Sequence, residues 1–232
     1  MRPVRRLVPL VLVAALAACG GSSSTPVDLA AAAKALTSAR FAITIKANVA
    51  GISAETQESG TVSFTARRAH VYKLTGGSGQ STPIELIYDG DTVYSNANAM
   101  AALANPDVRP WIRQRRNATH VDDVDHVRAL ALLATAVSDP KRLGKDHYRA
   151  RVEPGRLDPQ LRSVVRGDYQ ATPFPAEFWL DGKGLLVRVL VSYRTPKGGE
   201  ITVDGAFTEA GTKVDVTPPP KRDIETVSSA TG

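Results

Sequence analysis

Three groups of residues in this 232-residue chain are of types and spacings that could do chemistry. Cys19 is the single thiol, so no intrachain disulfide can form and the sulfur is free for covalent modification. The run His120-Val-Asp-Asp-Val-Asp-His126 gathers imidazoles and carboxylates, all metal-ligand types. On a helix starting near Asp122, the side chains of Asp122 and His126 stand one turn apart. Acids in a first helical turn are also what capping and the helix dipole favour, and the cap is the stronger reading. Arg113-Gln-Arg-Arg116 is the densest cationic cluster. No aromatics interleave with it, which argues against nucleic acid; a solvated helix end is the first reading, and a phosphate or an anionic lipid headgroup the second. No Gly-x-Ser-x-Gly elbow, P-loop or dinucleotide fingerprint accompanies the four histidines, and Gly76-Gly-Ser-Gly79 falls between strands as a loop. The expectation is a protein that is not an enzyme and uses no cofactor or metal.

Cys19 is placed by what precedes it. Met1-Arg-Pro-Val-Arg-Arg6 supplies a charged start and residues 7–18 an apolar run interrupted only by Pro9, which is the pattern of a signal peptide. The run is too short to span a bilayer, for which about 20 residues are needed. Leu16-Ala-Ala-Cys19-Gly20 resembles the bacterial lipobox, which implies that Cys19 is diacylated and becomes the N-terminus. Two or three acyl chains anchor where one would not. Losing Arg2, Arg5 and Arg6 with the leader lowers the formal net charge from +6 to +3. The expected organisation is a signal peptide at 1–18, a lipidated cysteine with a flexible Gly/Ser tether at 19–27, one domain at 28–220 and a disordered polar tail at 221–232. The location is the extracytoplasmic face of the cell membrane.

The domain must be built from elements of two periods. Asp28 reads as the cap of a helix over 29–40 with Leu29, Ala32, Ala33 and Leu36 on one stripe. Alternation then predicts strands at 41–49, 61–65 and 69–75, and a hairpin of 84–88 and 92–95 turned by Asp89-Gly90-Asp91. Helical spacing returns at 96–103, 110–117 and 122–137, the last with a stripe of Val124, Val127, Leu130, Ala131 and Ala134 that Pro140 ends. Strands resume at 147–152, 176–180, 185–194, 199–203 and 213–217, with a short helix at 158–166. In the clearest strand Leu185, Val187, Val189, Val191 and Tyr193 face one way. The fold class is α+β: a strongly curved antiparallel sheet, or half-barrel, with helices on its concave face.

Several stretches carry a family resemblance: Phe41-Ala-Ile-Thr-Ile, Leu86-Ile-Tyr-Asp-Gly-Asp-Thr-Val-Tyr94, Pro173-Phe-Pro-Ala-Glu-Phe-Trp-Leu-Asp181, Leu185-Leu-Val-Arg-Val189 and Val214-Asp-Val-Thr-Pro-Pro219. In order and spacing they resemble the LppX/LprAFG family of actinobacterial lipoproteins, similar in fold to the LolA/LolB localisation factors. The resemblance spans nearly all of 28–220, but not the Arg113 cluster or the Asp122 run. It implies a cavity for acyl chains and a part in moving lipid or lipoglycan through the cell envelope. An envelope transporter is a further partner it suggests. The lining it implies is Phe41, Ile43, Ile45, Val62, Phe64, Leu86, Tyr94, Trp111, Phe178, Leu180, Val187, Val189 and Val191. An inward-facing apolar residue on a strand is, however, more often plain core than ligand wall. Two alternatives stay open: a sensor or assembly module with a solid core that docks another envelope protein, and a metal-assisted enzyme using His120, Asp122 and His126.

Overall fold

The computed structural model describes residues 27–49, 51–77, 80–116, 122–157, 172–194 and 198–226. The leader expected at 1–18, Cys19 and the helix expected at 158–166 lie outside them. In chain order the elements are α1 (Leu29–Lys34), β1 (Ser38–Val49), β2 (Ile52–Ser63), β3 (Arg68–Gly77), β4 (Gln80–Asp89), β5 (Thr92–Ser95), α2 (Ala99–Ala104) and β6 (Trp111–Arg115). Then come α3 (Asp123–Leu132), β7 (Val137–Arg142), β8 (His147–Val152), β9 (Phe174–Leu180), β10 (Leu186–Arg194), β11 (Glu200–Thr208) and β12 (Ile224–Thr226). No helix among the described residues is long and apolar enough to cross a membrane.

All the described strands form one curved, unclosed sheet in the order β12-β6-β5-β4-β3-β2-β1-β11-β10-β9-β8-β7, antiparallel except where β12 joins β6. The order follows from two meanders. β1 to β6 step outward to one side, β7 to β11 step inward from the other, and β11 closes on β1. Since β6 and β7 sit near opposite edges, their connection must cross the sheet. Helix α3 makes that crossing, touching β3 on one side of the centre and β10 on the other.

Register places the apolar positions in continuous rows under the helices. Phe41 is opposite Phe207, Ile43 opposite Gly205, Val191 opposite Val203, Val189 opposite Phe178 and Val62 opposite Ala69. Every one of these is buried. From above, α1 adds Leu29 and Ala33, and α3 with its following 3-10 turn adds Val124, Val127, Leu130, Ala131, Leu133 and Ala134. Each fully buried large aliphatic contributes about 1.5–3 kcal/mol, so this one interface is the main source of stability. Asp28 caps α1 by accepting from Ala31 N at 2.9 Å. At the hairpin of β4 and β5, Gly90 takes a φ of 59°, the left-handed conformation that the Asp-Gly-Asp turn requires.

Several sequence expectations are corrected. The helix expected over 29–40 stops at Lys34, because from Ser38 the backbone is taken by ladders to β2, and from Arg40 also by one to β11. The helix expected at 110–117 is instead strand β6, paired to β5; Trp111 and Ile112 suit a pleated surface and the ladder decides. The helix that Pro140 was to end turns 3-10 at Leu133, and Pro140 lies within the edge strand β7 at a register shift, where a missing N–H does least harm. The strand expected at 213–217 makes no ladder, and the chain runs irregularly there into three prolines. The tail expected to be disordered from 221 contributes β12, with Ile224 opposite Trp111.

Candidate functional site

The residues expected to wall a lipid cavity divide into three sets. Phe41, Ile43, Val62, Phe178, Val189 and Val191 are buried in one close-packed core, against which Ile45, Phe64, Leu86 and Leu180 pack half-buried. Tyr94 is buried on the other face of the sheet: it is opposite Ile87, whose chain neighbours Leu86 and Tyr88 are the ones that join the helix-side core. Half-buried Trp111 follows it, two residues from Arg113, the partner of Tyr94 on β6. Val187 sits at a register shift between Leu186 and Arg188, so the alternation expected from Leu185 to Tyr193 slips by one and Leu186, not Val187, is buried with Val189.

Open space lies beside this core. A groove of about 520 Å³ runs between α1, the turn after β2 and the last turn of α3. Its floor is apolar, made by Leu36, Phe64, Ala131 and Leu132, and its rim carries Lys34, Arg67 and Arg128. Of the thirteen expected wall residues, Phe64 alone lines it. The volume falls in the range of small-molecule sites, about 300–1,000 Å³. Arg67 has a φ of 52°, unusual for a residue with a side chain. Its turn is tied by Ala66 N donating to Ser63 Oγ at 3.2 Å and by Phe64 N donating to Thr37 O at 2.9 Å. Sequence inspection missed the three cations because they are far apart in the chain and belong to no motif.

A charged network pins the start of α3 to the sheet. Lys73 Nζ lies 2.9 Å from Glu58 Oε1 and 2.8 Å from Asp123 Oδ1, and Tyr88 donates its hydroxyl to Asp123 Oδ2 at 2.9 Å. Burial pulls the Lys73 ammonium down, but the hydrogen bonds and charges of Asp123 and Glu58 outweigh it and hold it above the ordinary lysine value. Burial, then the charge of Asp123, pushes the Tyr88 phenol far up. Asp122 caps α3 in a capping box with Asp125 and pairs with Arg116, whose guanidinium also lies 5.5 Å from the Tyr88 ring centre. Burial still leaves the Asp122 carboxyl above its usual range.

This accounts for most of the run from His120 to His126. Its aspartates cap a helix and meet cations, His126 is exposed, His120 lies outside the described residues, and no three metal-ligand side chains converge among those described. The Arg113 cluster also divides, Arg113 and Arg115 being exposed on β6 while Arg116 is drawn inward to Asp122.

No protein-family model and no curated protein matches the chain. Among solved structures, it is similar to the crystal structure of a DUF1329 family protein from Desulfovibrio piger, at 10% identity and a TM-score of 0.27, over 80% of this chain and 92% of that one. A likeness at that level carries no argument about function.

Proposed function

We propose that this protein is an exported lipoprotein, anchored through Cys19, that binds the acyl part of a lipid or lipoglycan without catalysing a reaction and takes part in its trafficking in the cell envelope. The observation that carries the reading is the groove of about 520 Å³ with its floor of Leu36, Phe64, Ala131 and Leu132. An acyl chain gains about 0.8 kcal/mol per buried CH₂ and needs no directional partner, so an apolar floor is sufficient chemistry. The curved sheet with helices on one face is the arrangement expected from the resemblance to the LppX/LprAFG and LolA/LolB proteins, and this supports the reading. Seven residues separate Cys19 from Val27, and the connecting chain can reach about 28 Å, which keeps the groove near the bilayer surface.

A second reading has its own support. Because Val189, Phe178 and their neighbours are buried together in one hydrophobic cluster, a solid module that docks another envelope protein is also consistent with this fold.

The test is native mass spectrometry with lipid extraction on the soluble form starting after Cys19, purified from a membrane-rich host. Val189 is fully buried, so the obstructing substitution belongs in the groove: Thr65→Trp places an indole across it from an exposed turn position. Co-purifying acyl lipid that is lost in the variant is the expected result. A protein that is empty under all conditions overturns the carrier reading in favour of the docking module.

A further inference from the structure

We infer that the groove between α1 and α3 selects lipids with an anionic phosphate headgroup, held by Lys34, Arg67 and Arg128 while the acyl chains lie on Leu36, Phe64 and Leu132. The inference rests on the acyl-binding reading above and adds the headgroup class to it.

The charge around the groove is one-sided. Its lining includes three cations and no aspartate or glutamate. Among the described residues none of these three cations has an ion-pair partner, a state they share with other exposed cations such as Arg113 and Arg115; what sets them apart is that all three border one groove with an apolar floor. Arg68 is taken up by Asp89 at 2.9 Å, whereas Arg67, one residue earlier, is held in a left-handed conformation at the groove.

The groove thus joins an apolar floor to an unneutralised cationic rim, which is complementary to an amphiphile with a negative head. Arginine suits phosphate oxygens because its planar fork can donate two parallel hydrogen bonds. A zwitterionic head would bring its own cation against the same rim and lose most of the attraction.

The test uses the full lipidated chain reconstituted in phosphatidylcholine vesicles. These carry either a photo-crosslinkable phosphatidylglycerol or a photo-crosslinkable phosphatidylcholine with the same acyl chains, and labelled peptides are mapped by mass spectrometry. Phosphatidylglycerol is expected to label α1, the turn at 64–67 and α3 about tenfold more than phosphatidylcholine. Each exposed charge pair contributes up to a factor of about five. In the Arg67→Gln/Arg128→Gln variant the two lipids should come within about twofold of each other, with the melting temperature unchanged because both side chains are exposed. Arg113→Gln/Arg115→Gln removes the same charge from β6 and should leave the preference intact, which separates the groove from general attraction to an anionic surface. Equal labelling by both lipids in the wild type, or equal loss in the β6 variant, overturns headgroup selection while leaving acyl binding in place. Absence of groove labelling by either lipid overturns the acyl reading itself. Inorganic phosphate at millimolar concentration is added as a competitor; abolition of phosphatidylglycerol labelling by phosphate but not by equal ionic strength of chloride assigns the rim to free phosphate and overturns the lipid source.

Discussion

The Cδ2 methyl of Leu130 occupies the place where a side chain at position 205 would begin: a Cβ on Gly205 would lie 2.4 Å from it. Helix α3 therefore lies close on the sheet because β11 offers bare backbone at that point, next to Ile43 across the ladder. Gly205→Ala should destabilise the protein by about 1–3 kcal/mol, the usual cost of overpacking, since Leu130 is buried and has little room to turn. Urea denaturation of the variant checks this. Adding Leu130→Ala should make the second substitution cost less than it does alone, and strict additivity would show that the two positions do not meet.

Removing the cation from beneath α3 should be more damaging than removing an exposed one. Glu58 is only 3% exposed and Lys73 is its cation. Lys73→Met leaves that carboxylate and Asp123 without their ammonium, at an expected cost of about 2–4 kcal/mol. Adding Glu58→Gln should recover part of the loss. A Lys73→Met variant as stable as the wild type in denaturant titration would mean that the network contributes nothing net.

Alkaline titration should single out Tyr88. Burial and the Asp123 carboxylate hold its phenol far above the ordinary value of 10.0, and Lys73 is likewise raised. Both groups bind their protons more tightly folded than unfolded, so their stability is intact below about pH 10 and is lost as the pH rises further. Absorbance at the tyrosinate band should show one phenol that ionises only as the protein unfolds, and Tyr88→Phe should remove that late step. An early, complete titration of every tyrosine in the folded protein is the contrary outcome.

Acid should weaken a different contact, on the sheet face away from the helices. Glu177 receives Arg149 at 2.6 Å and His147 at 2.7 Å, and the Arg149 hydrogen bond holds its carboxyl below the usual range. The stability this carries is present above the ordinary glutamate value of 4.5 and fades as the pH falls through the lower folded value. Glu177→Gln should cost about 1 kcal/mol or less at pH 7, because Arg149 is largely solvent-exposed. The curves of variant and wild type should converge in acid; a constant gap from pH 7 to pH 3 would assign the loss to packing with stacked His147 and Trp179 instead.

Much of the sheet is legible in the residues themselves. The alternation Phe41, Ile43, Ile45 marks β1, and Asp89-Gly90-Asp91 marks the turn between β4 and β5, because both signals are local. Where the ladder overrules local preference the reading fails. Trp111 to Arg115 has helical spacing yet completes a sheet, and Ile52 to Ser59 is too polar to announce the first half of β2. At Val187 the alternation breaks for a third reason: the register shift between Leu186 and Arg188 puts Leu186, not Val187, on the side of the buried Val189 and Val191.

Residue type and spacing are enough to tell which side chains can enter a core and which segments alternate, because both are local properties of the chain. Only the folded chain brings Phe41, Phe178 and Val189 into one buried cluster, because β11 joins β1 to β10 and β10 joins β9 across the sheet. It alone also brought Lys34, Arg67 and Arg128 to one groove. Charges so far apart in the chain share no local pattern, and only the return of β2 beside α1, with the crossing of α3 over the sheet, sets them side by side.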